Sequence, residues 1–262
     1  MLAMTTIQAR YLLLFLACCF ALASCVTTTG KNTKIDKKKA LEANIKLGMA
    51  YLQRDLRDSA LRSFLKALDI DKRSAEAHQG LAIVQQLNGE IDAAEASFKT
   101  ALRSRIDFSR APIEFSYGRF LYELKRYDEA LSYFDAAASD LGYKDRPSAR
   151  YYAGLCALAQ GDKARARGAF EHALNLDKKL APAALELAGM AFEQRNYALA
   201  KENLDLFAAN SSHTPRSLWL GIRIERIFDN VDKEASYALA LKNMHPYSKE
   251  YLEYKRLLES SR

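Results

Sequence analysis

Cysteine, proline, glycine and tryptophan are all scarce in this chain: its 262 residues include four Cys, five Pro, eleven Gly and one Trp. Four cysteines are too few for a disulfide scaffold, and two of them, Cys18 and Cys19, stand in a segment expected to be removed. So little glycine and proline excludes collagen-like and mucin-like chains, and 49% hydrophobic with 27% charged residues describes a folded protein with a sizeable core. Catalytic signatures are also missing. There is no Gly-rich phosphate loop, G-x-S-x-G, H-E-x-x-H or C-x-x-C. The four histidines, His78, His172, His213 and His245, are scattered along the chain. Neither enzymatic activity, a metal nor a small-molecule substrate is therefore expected. The net charge of +7 bears on association and solubility and not on function. Its basic residues form no stripe interleaved with aromatics, so nucleic acid is not an expected partner.

The N-terminus does carry a pattern. Arg10 precedes the apolar run Tyr11–Ala23, whose 13 residues fall short of the roughly 20 that span a bilayer. A short positive region, an apolar stretch of this length and small residues after it read as a secretory signal peptide over residues 1–24. Its end, Leu22-Ala23-Ser24-Cys25, resembles the bacterial lipobox, which implies cleavage before Cys25 and a lipid on its sulfur. Cys19 is the poorer acceptor, because bulky Cys18 would occupy the position before the cut. In such signals a following Asp retains the protein at the inner membrane; Val26 stands there instead, which implies the periplasmic face of the outer membrane. No cofactor other than this covalent lipid is expected. Residues 25–40 are polar, with Lys31, Lys34 and Lys37 to Lys39, and read as a tether with a flexible reach of about 20 Å.

Beyond residue 40 a period emerges. Ala60, Phe64 and Ala67 recur as Ala94, Phe98 and Ala101, as Ala130, Phe134 and Ala137, and as Ala166, Phe170 and Ala173, at steps of 34, 36 and 36. Spacing i, i+4, i+7 puts each triad on one helix face. Upstream of each stands an apolar-small pair, Leu47-Gly48, Leu81-Ala82, Tyr117-Gly118 or Ala153-Gly154, on a preceding helix. Glycine inside a helix costs about 1 kcal/mol relative to alanine, so its return at one phase implies close helix crossing. Weaker copies follow at Leu187-Ala188 with Ala200, Leu204 and Phe207, and at Leu220-Gly221 with Lys233, Tyr237 and Ala240. Pro112, Pro147, Pro182 and Pro215 fall where first helices begin, and Asn88-Gly89, Gln160-Gly161-Asp162, Arg195-Asn196 and Asp229-Asn230 break the paired helices. The expected fold is all-α: six helix pairs at 41–74, 75–110, 111–146, 147–180, 181–213 and 214–246, closed by a capping helix in 247–262. In that cap Tyr251, Leu252, Tyr254, Leu257 and Leu258 are expected to cover the last pair, with Lys249, Glu250, Lys255 and Glu259 in water.

This spacing resembles the tetratricopeptide repeat, which implies a right-handed solenoid whose first helices line a concave groove. The early Trp of that pattern is replaced throughout, by Asn44, His78, Glu114, Arg150, Ala184 and Ser217, and the late Pro is missing. By phase the groove is expected to carry Met49, Leu52, Ile83, Leu87, Phe115, Arg119, Tyr122, Tyr151 and Leu155, with Gln86, Arg119 and Glu123 as a polar rim. Large apolar groups on a wet face mark a protein-binding site, and packing between repeats is the competing explanation. Cys156 is expected to be a small core residue.

Several stretches go beyond the generic repeat. Tyr117-Gly118-Arg119-Phe120-Leu121-Tyr122-Glu123 with Lys125-Arg126-Tyr127-Asp128-Glu129-Ala130, Asp205-Leu206-Phe207, Arg216-Ser217-Leu218-Trp219-Leu220-Gly221-Ile222-Arg223 and Pro246-Tyr247-Ser248-Lys249-Glu250-Tyr251 resemble the PilF/PilW family. These are outer-membrane lipoproteins that serve as pilotins of type IV pili. The resemblance implies binding of the pilus secretin and help in its localisation and ring assembly. A tetratricopeptide lipoprotein adaptor of another outer-membrane process, such as β-barrel assembly or protease adaptation, is the alternative.

Overall fold

A computed structural model describes residues 36–104 and 109–260; the signal segment, Cys25 and the tether up to residue 35 lie outside the described residues. Among those described there are thirteen helices and no strand. They are α1 (Lys37–Leu52), α2 (Arg57–Ile70), α3 (Ala75–Leu87), α4 (Ile91–Arg103), α5 (Ala111–Glu123), α6 (Tyr127–Ser139), α7 (Arg146–Ala159), α8 (Lys163–Leu176), α9 (Ala181–Glu193), α10 (Tyr197–Asn210), α11 (Pro215–Ile227), α12 (Val231–Met244) and α13 (Lys249–Ser260).

Odd-numbered helices up to α11 are the first members of the six pairs. Each packs on its even-numbered partner, and each following first helix stacks on the second helix of the pair before it, making one compact solenoid unit from Leu41 onward. The triad phenylalanines Phe64, Phe98, Phe134 and Phe170 are wholly buried, as are the alanines that flank them. Small residues on the first helices make the room. A Cβ built at Gly48 would lie 2.6 Å from Phe64 Cε1, at Gly118 2.9 Å from Phe134 Cε1 and at Gly154 2.5 Å from Phe170 Cε1. Tyr237 takes the same place in the sixth pair, 2.8 Å from a Cβ on Gly221. Phe64 is gripped twice, since a Cβ on Gly80 of the next first helix would stand 2.2 Å from it. Wholly buried rings of this size are each worth about 1.5–3 kcal/mol in removal from water, and the close crossings depend on the missing side chains.

Every pair turns in the same way. One residue with left-handed backbone follows each first helix: Asp55 (φ 54°), Gly89 (80°), Lys125 (61°), Gly161 (82°), Arg195 (60°) and Asp229 (54°). The next residue's N–H reaches back to the last turn, as in Leu56 N to Tyr51 O, Arg126 N to Leu121 O and Asn196 N to Ala191 O, each at 2.9 Å. That is the Schellman closure, which satisfies carbonyls the helix end would otherwise orphan. The chain then enters the second helix through a side-chain cap in half of the pairs, where Asp162, Asn196 and Asn230 accept from the N–H three residues on.

Both ends differ in detail from the spacing-based expectation. Helix α1 begins at Lys37, so Lys37 to Ala40 are helical and not part of an extended tether; Asp36 accepts from the N–H groups of Lys38 and Lys39 and starts the first turn. Helix α13 starts at Lys249 after a turn at Pro246 and Tyr247. Tyr251 and Tyr254 pack against Leu218, Ile222, Ala238 and Leu241, whereas Leu252 and Leu258 are exposed and Glu250 is buried. A stripe one turn wide covers the last pair, which turns Leu252 and Leu258 to solvent and Glu250 inward.

Candidate functional site

Ile83, Gln86 and Leu87 on α3 face Ser116, Arg119 and Glu123 on α5 across a cleft of about 350 Å³. The period places these residues here: each side of the cleft is formed by successive turns of one first helix, brought level by adjacent repeats. Gln86 Nε2 donates to Glu123 Oε2 at 2.6 Å, and Arg119 Nη2 stands 4.0 Å from Glu123 Oε1. Leu87 keeps 42% of its surface exposed. The cleft thus has an apolar floor from Ile83 and Leu87 and a polar edge in which Gln86 and Glu123 are hydrogen-bonded to each other, while Arg119 stands beyond hydrogen-bond distance of Glu123 and keeps donors to offer.

The other residues expected on this face are less free. Phe115 is half-buried, with its ring centroid 5.8 Å from Phe134 and 5.6 Å from Tyr152. Tyr122 lies 5.4 Å from Tyr127 and 5.9 Å from Tyr152, and burial raises its hydroxyl pKa. Tyr151 sits 5.7 Å from Phe170, where burial pushes its pKa up to about 12. Leu155 packs on the core of the fourth and fifth pairs, and Met49 and Leu52 on that of the first two. Phe115, Tyr122 and Tyr151 therefore serve the seams between repeats as well as the face above them.

Two features of this region escape the repeat pattern. Tyr152 is the hub of the aromatic cluster: it stacks on Phe134 at 5.2 Å, and the Arg119 guanidinium lies 5.8 Å over its ring. On α11, Arg216 grips Glu186 of α9 through both Nη atoms at 2.5 and 2.8 Å. The period fixes which residues share a face of one helix, while such pairings depend on the stagger between helices.

Burial pushes the Cys156 thiol up to about 12, far from the thiolate a nucleophile needs. His78 meets the Lys72 carbonyl at 3.0 Å, and burial lowers the pKa of His213. Among the described residues no group of His, Cys, Asp and Glu could hold a metal ion, and no helix is long and apolar enough to cross a membrane.

Comparison with known proteins gives the chain a family context. The tetratricopeptide repeat model matches residues 45–107, 88–143 and 121–184. The type IV pilus assembly protein PilF of Pseudomonas aeruginosa is 39% identical over 236 residues, 89% of this chain and 93% of PilF. The solved structure of Pseudomonas aeruginosa PilF superposes with a TM-score of 0.80, covering 84% of this chain and 98% of that one. The crystal structure of PilW, described as a widely conserved type IV pilus biogenesis factor, matches with a TM-score of 0.69 at 26% identity, covering 82% of this chain and 97% of PilW.

Proposed function

We propose a function from one premise: the chain belongs to the tetratricopeptide-repeat family and, within it, to the PilF/PilW family of type IV pilus biogenesis proteins. Its role is that of a pilotin. Anchored by a lipid on Cys25 at the periplasmic face of the outer membrane, it binds the secretin of the pilus system and promotes its localisation and multimer assembly. The observation that carries this reading is the 39% identity running through nearly the whole of PilF, joined to an open, apolar-floored cleft on α3 and α5.

The geometry suits capture of a segment more than chemistry. A side chain of leucine size inserted between Ile83 and Leu87 gains about 1.5–3 kcal/mol from burial, and the Gln86–Glu123 bond holds the two walls at a fixed separation. Arg119 at the edge offers donors to the backbone of the bound segment. A multiply acylated Cys25 would hold the complex at the bilayer, since each buried methylene contributes about 0.8 kcal/mol. Affinity capture from detergent-solubilised outer membranes tests the partner. Wild-type chain retains the secretin, and Ile83→Glu/Leu87→Glu, with unchanged helicity, loses it. Equal recovery by both overturns the cleft assignment, and failure of the wild type to retain any secretin overturns the pilotin reading.

A further inference from the structure

The stretch Arg216–Arg223 on α11 is not demanded by the repeat, and the α3–α5 cleft does not use it. Its two arginines, seven residues apart, are treated differently by the fold. Arg216 spends its charge on Glu186, which is only 7% exposed. Among the described residues Arg223 has no such partner. Its guanidinium carbon lies 4.6 Å from the ring centroid of Phe192 on α9 and 5.3 Å from that of Trp219 on α11. Its Nε is buried without a hydrogen-bond acceptor.

Every other arginine on a described first helix from α5 onward has found a polar partner. Arg119 and Arg150 pair with Glu123 and Asp135, Arg146 donates to the Ala138 carbonyl, and Arg226 pairs with Glu234. Among the described residues Arg223 alone of this set is partly desolvated with no hydrogen-bond or ion-pair partner, framed by aromatic rings and acted on by Glu253 and Glu193 only beyond contact; burial lowers its pKa. Such a cation keeps its charge and still lacks the oxygen acceptors that complement it.

We propose that Arg223, framed by Phe192 and Trp219, is a docking point for a carboxylate-bearing segment of a protein partner, whose neighbouring aliphatic side chain lies against the two rings. A planar guanidinium fixed by aromatic faces presents its outer N–H edge to a carboxylate in the bidentate geometry that is strongest for this pair. A peptide carboxylate suits the site better than a lipid or free phosphate. Glu193 and Glu253 act on Arg223 electrostatically and weigh against a dianion, whereas one carboxylate matches one guanidinium. This point lies on α9 and α11, apart from the α3–α5 cleft, and does not depend on what that cleft binds.

The chain has one tryptophan, so its emission reports this place directly. Full-length protein in detergent is titrated with acetyl-Leu-Glu-Leu-amide, its Gln counterpart and its phosphoserine counterpart. The Glu tripeptide is expected to change Trp219 emission saturably with a Kd on the order of 1 mM, and the Gln peptide to bind about tenfold or more weakly. Arg223→Gln should abolish the preference for Glu over Gln, and Arg223→Lys should weaken Glu binding at least about fivefold while keeping the charge. Circular dichroism confirms that each variant remains helical, and Arg223→Lys carries the test if Arg223→Gln does not fold. Equal binding of Glu and Gln peptides, no response to the Glu peptide, or undiminished binding by folded Arg223→Lys overturns the proposal. Tighter binding of the phosphoserine peptide than of the Glu peptide overturns it in favour of a phosphate site.

Discussion

Alanine substituted for glycine at two positions of one helix pair should have opposite effects. Gly154 lies in α7 and Gly168 in α8. In an exposed helix interior the change gains about 1 kcal/mol, because glycine surrenders more backbone freedom on folding. At Gly168 a new Cβ meets nothing within 4 Å, so the full gain is expected, raising Tm by about 2–4 °C for a chain of this size. At Gly154 the Cβ would stand 2.5 Å from Phe170 Cε1 and 2.7 Å from Cδ1, well inside the roughly 3.5–4.0 Å at which carbon atoms rest. Phe170 is 0% exposed, so its ring has no solvent to swing into. Overpacking of this kind typically costs about 1–3 kcal/mol, which offsets the helical gain and leaves Gly154→Ala between neutral and about 2 kcal/mol less stable. The two variants should therefore differ by about 1–3 kcal/mol, a difference from which intrinsic propensity cancels. Urea unfolding followed by circular dichroism measures it, with unchanged m-values required because repeat arrays can lose two-state behaviour. Adding Phe170→Leu to Gly154→Ala should cost less than the sum of the single changes. Equal stabilisation by both alanines would refute the close-crossing account of these glycines.

Other consequences are equally direct. Lys125 and Arg195 hold left-handed backbone without being glycine, so Lys125→Gly and Arg195→Gly should each stabilise by up to about 1 kcal/mol in the same unfolding assay, despite glycine's looser unfolded state. Glu95 accepts from Arg126, Lys99 and the Tyr117 hydroxyl, and the Arg126 hydrogen bond foremost holds its pKa down at about 2. Its folded value lies below its ordinary 4.5, so its contribution is complete above about pH 4.5 and is lost as pH falls towards 2; an acid titration of stability should be flatter in that window for Glu95→Gln. Cys25→Ala should leave the chain without lipid, and mass spectrometry of the mature N-terminus checks this; cleavage at another residue in the wild type would sink the lipobox assignment.

Much of the solenoid could be read from the triads because Ala-Phe-Ala at i, i+4, i+7 describes one helix face, and four near-identical copies fix a phase. The turns were harder. Gly89 and Gly161 announce a left-handed residue, but Lys125 and Arg195 occupy the same backbone state with no sign in the residue type, held there by the Schellman closures around them. Gly80 shows a related limit. It lies two residues before Ala82, the small position of its repeat, and grips Phe64 from the following repeat, a contact between repeats that a within-repeat pattern does not encode. At the candidate face, phase alone brings Ile83, Leu87 and Arg119 to one cleft, yet it does not separate free Leu87 from Phe115, which the aromatic cluster around Tyr152 half-buries. Arg223 is legible in the sequence only as the end of a stretch that carries the family resemblance, since its lack of a partner among the described residues is a property of three-dimensional neighbours.

The central claim, that the α3–α5 cleft delivers secretin subunits to the outer membrane, is tested most directly by fractionating membranes from cells expressing Ile83→Glu/Leu87→Glu beside cells expressing Cys25→Ala, with secretin followed as heat-resistant multimer and as monomer. The account predicts that the cleft variant reaches the outer membrane in normal amount while secretin stays monomeric and surface pili are lost, and that the Cys25 variant still co-purifies with secretin but leaves it undelivered. Secretin multimers at wild-type level in the outer membranes of cells carrying a folded, correctly anchored cleft variant would contradict it.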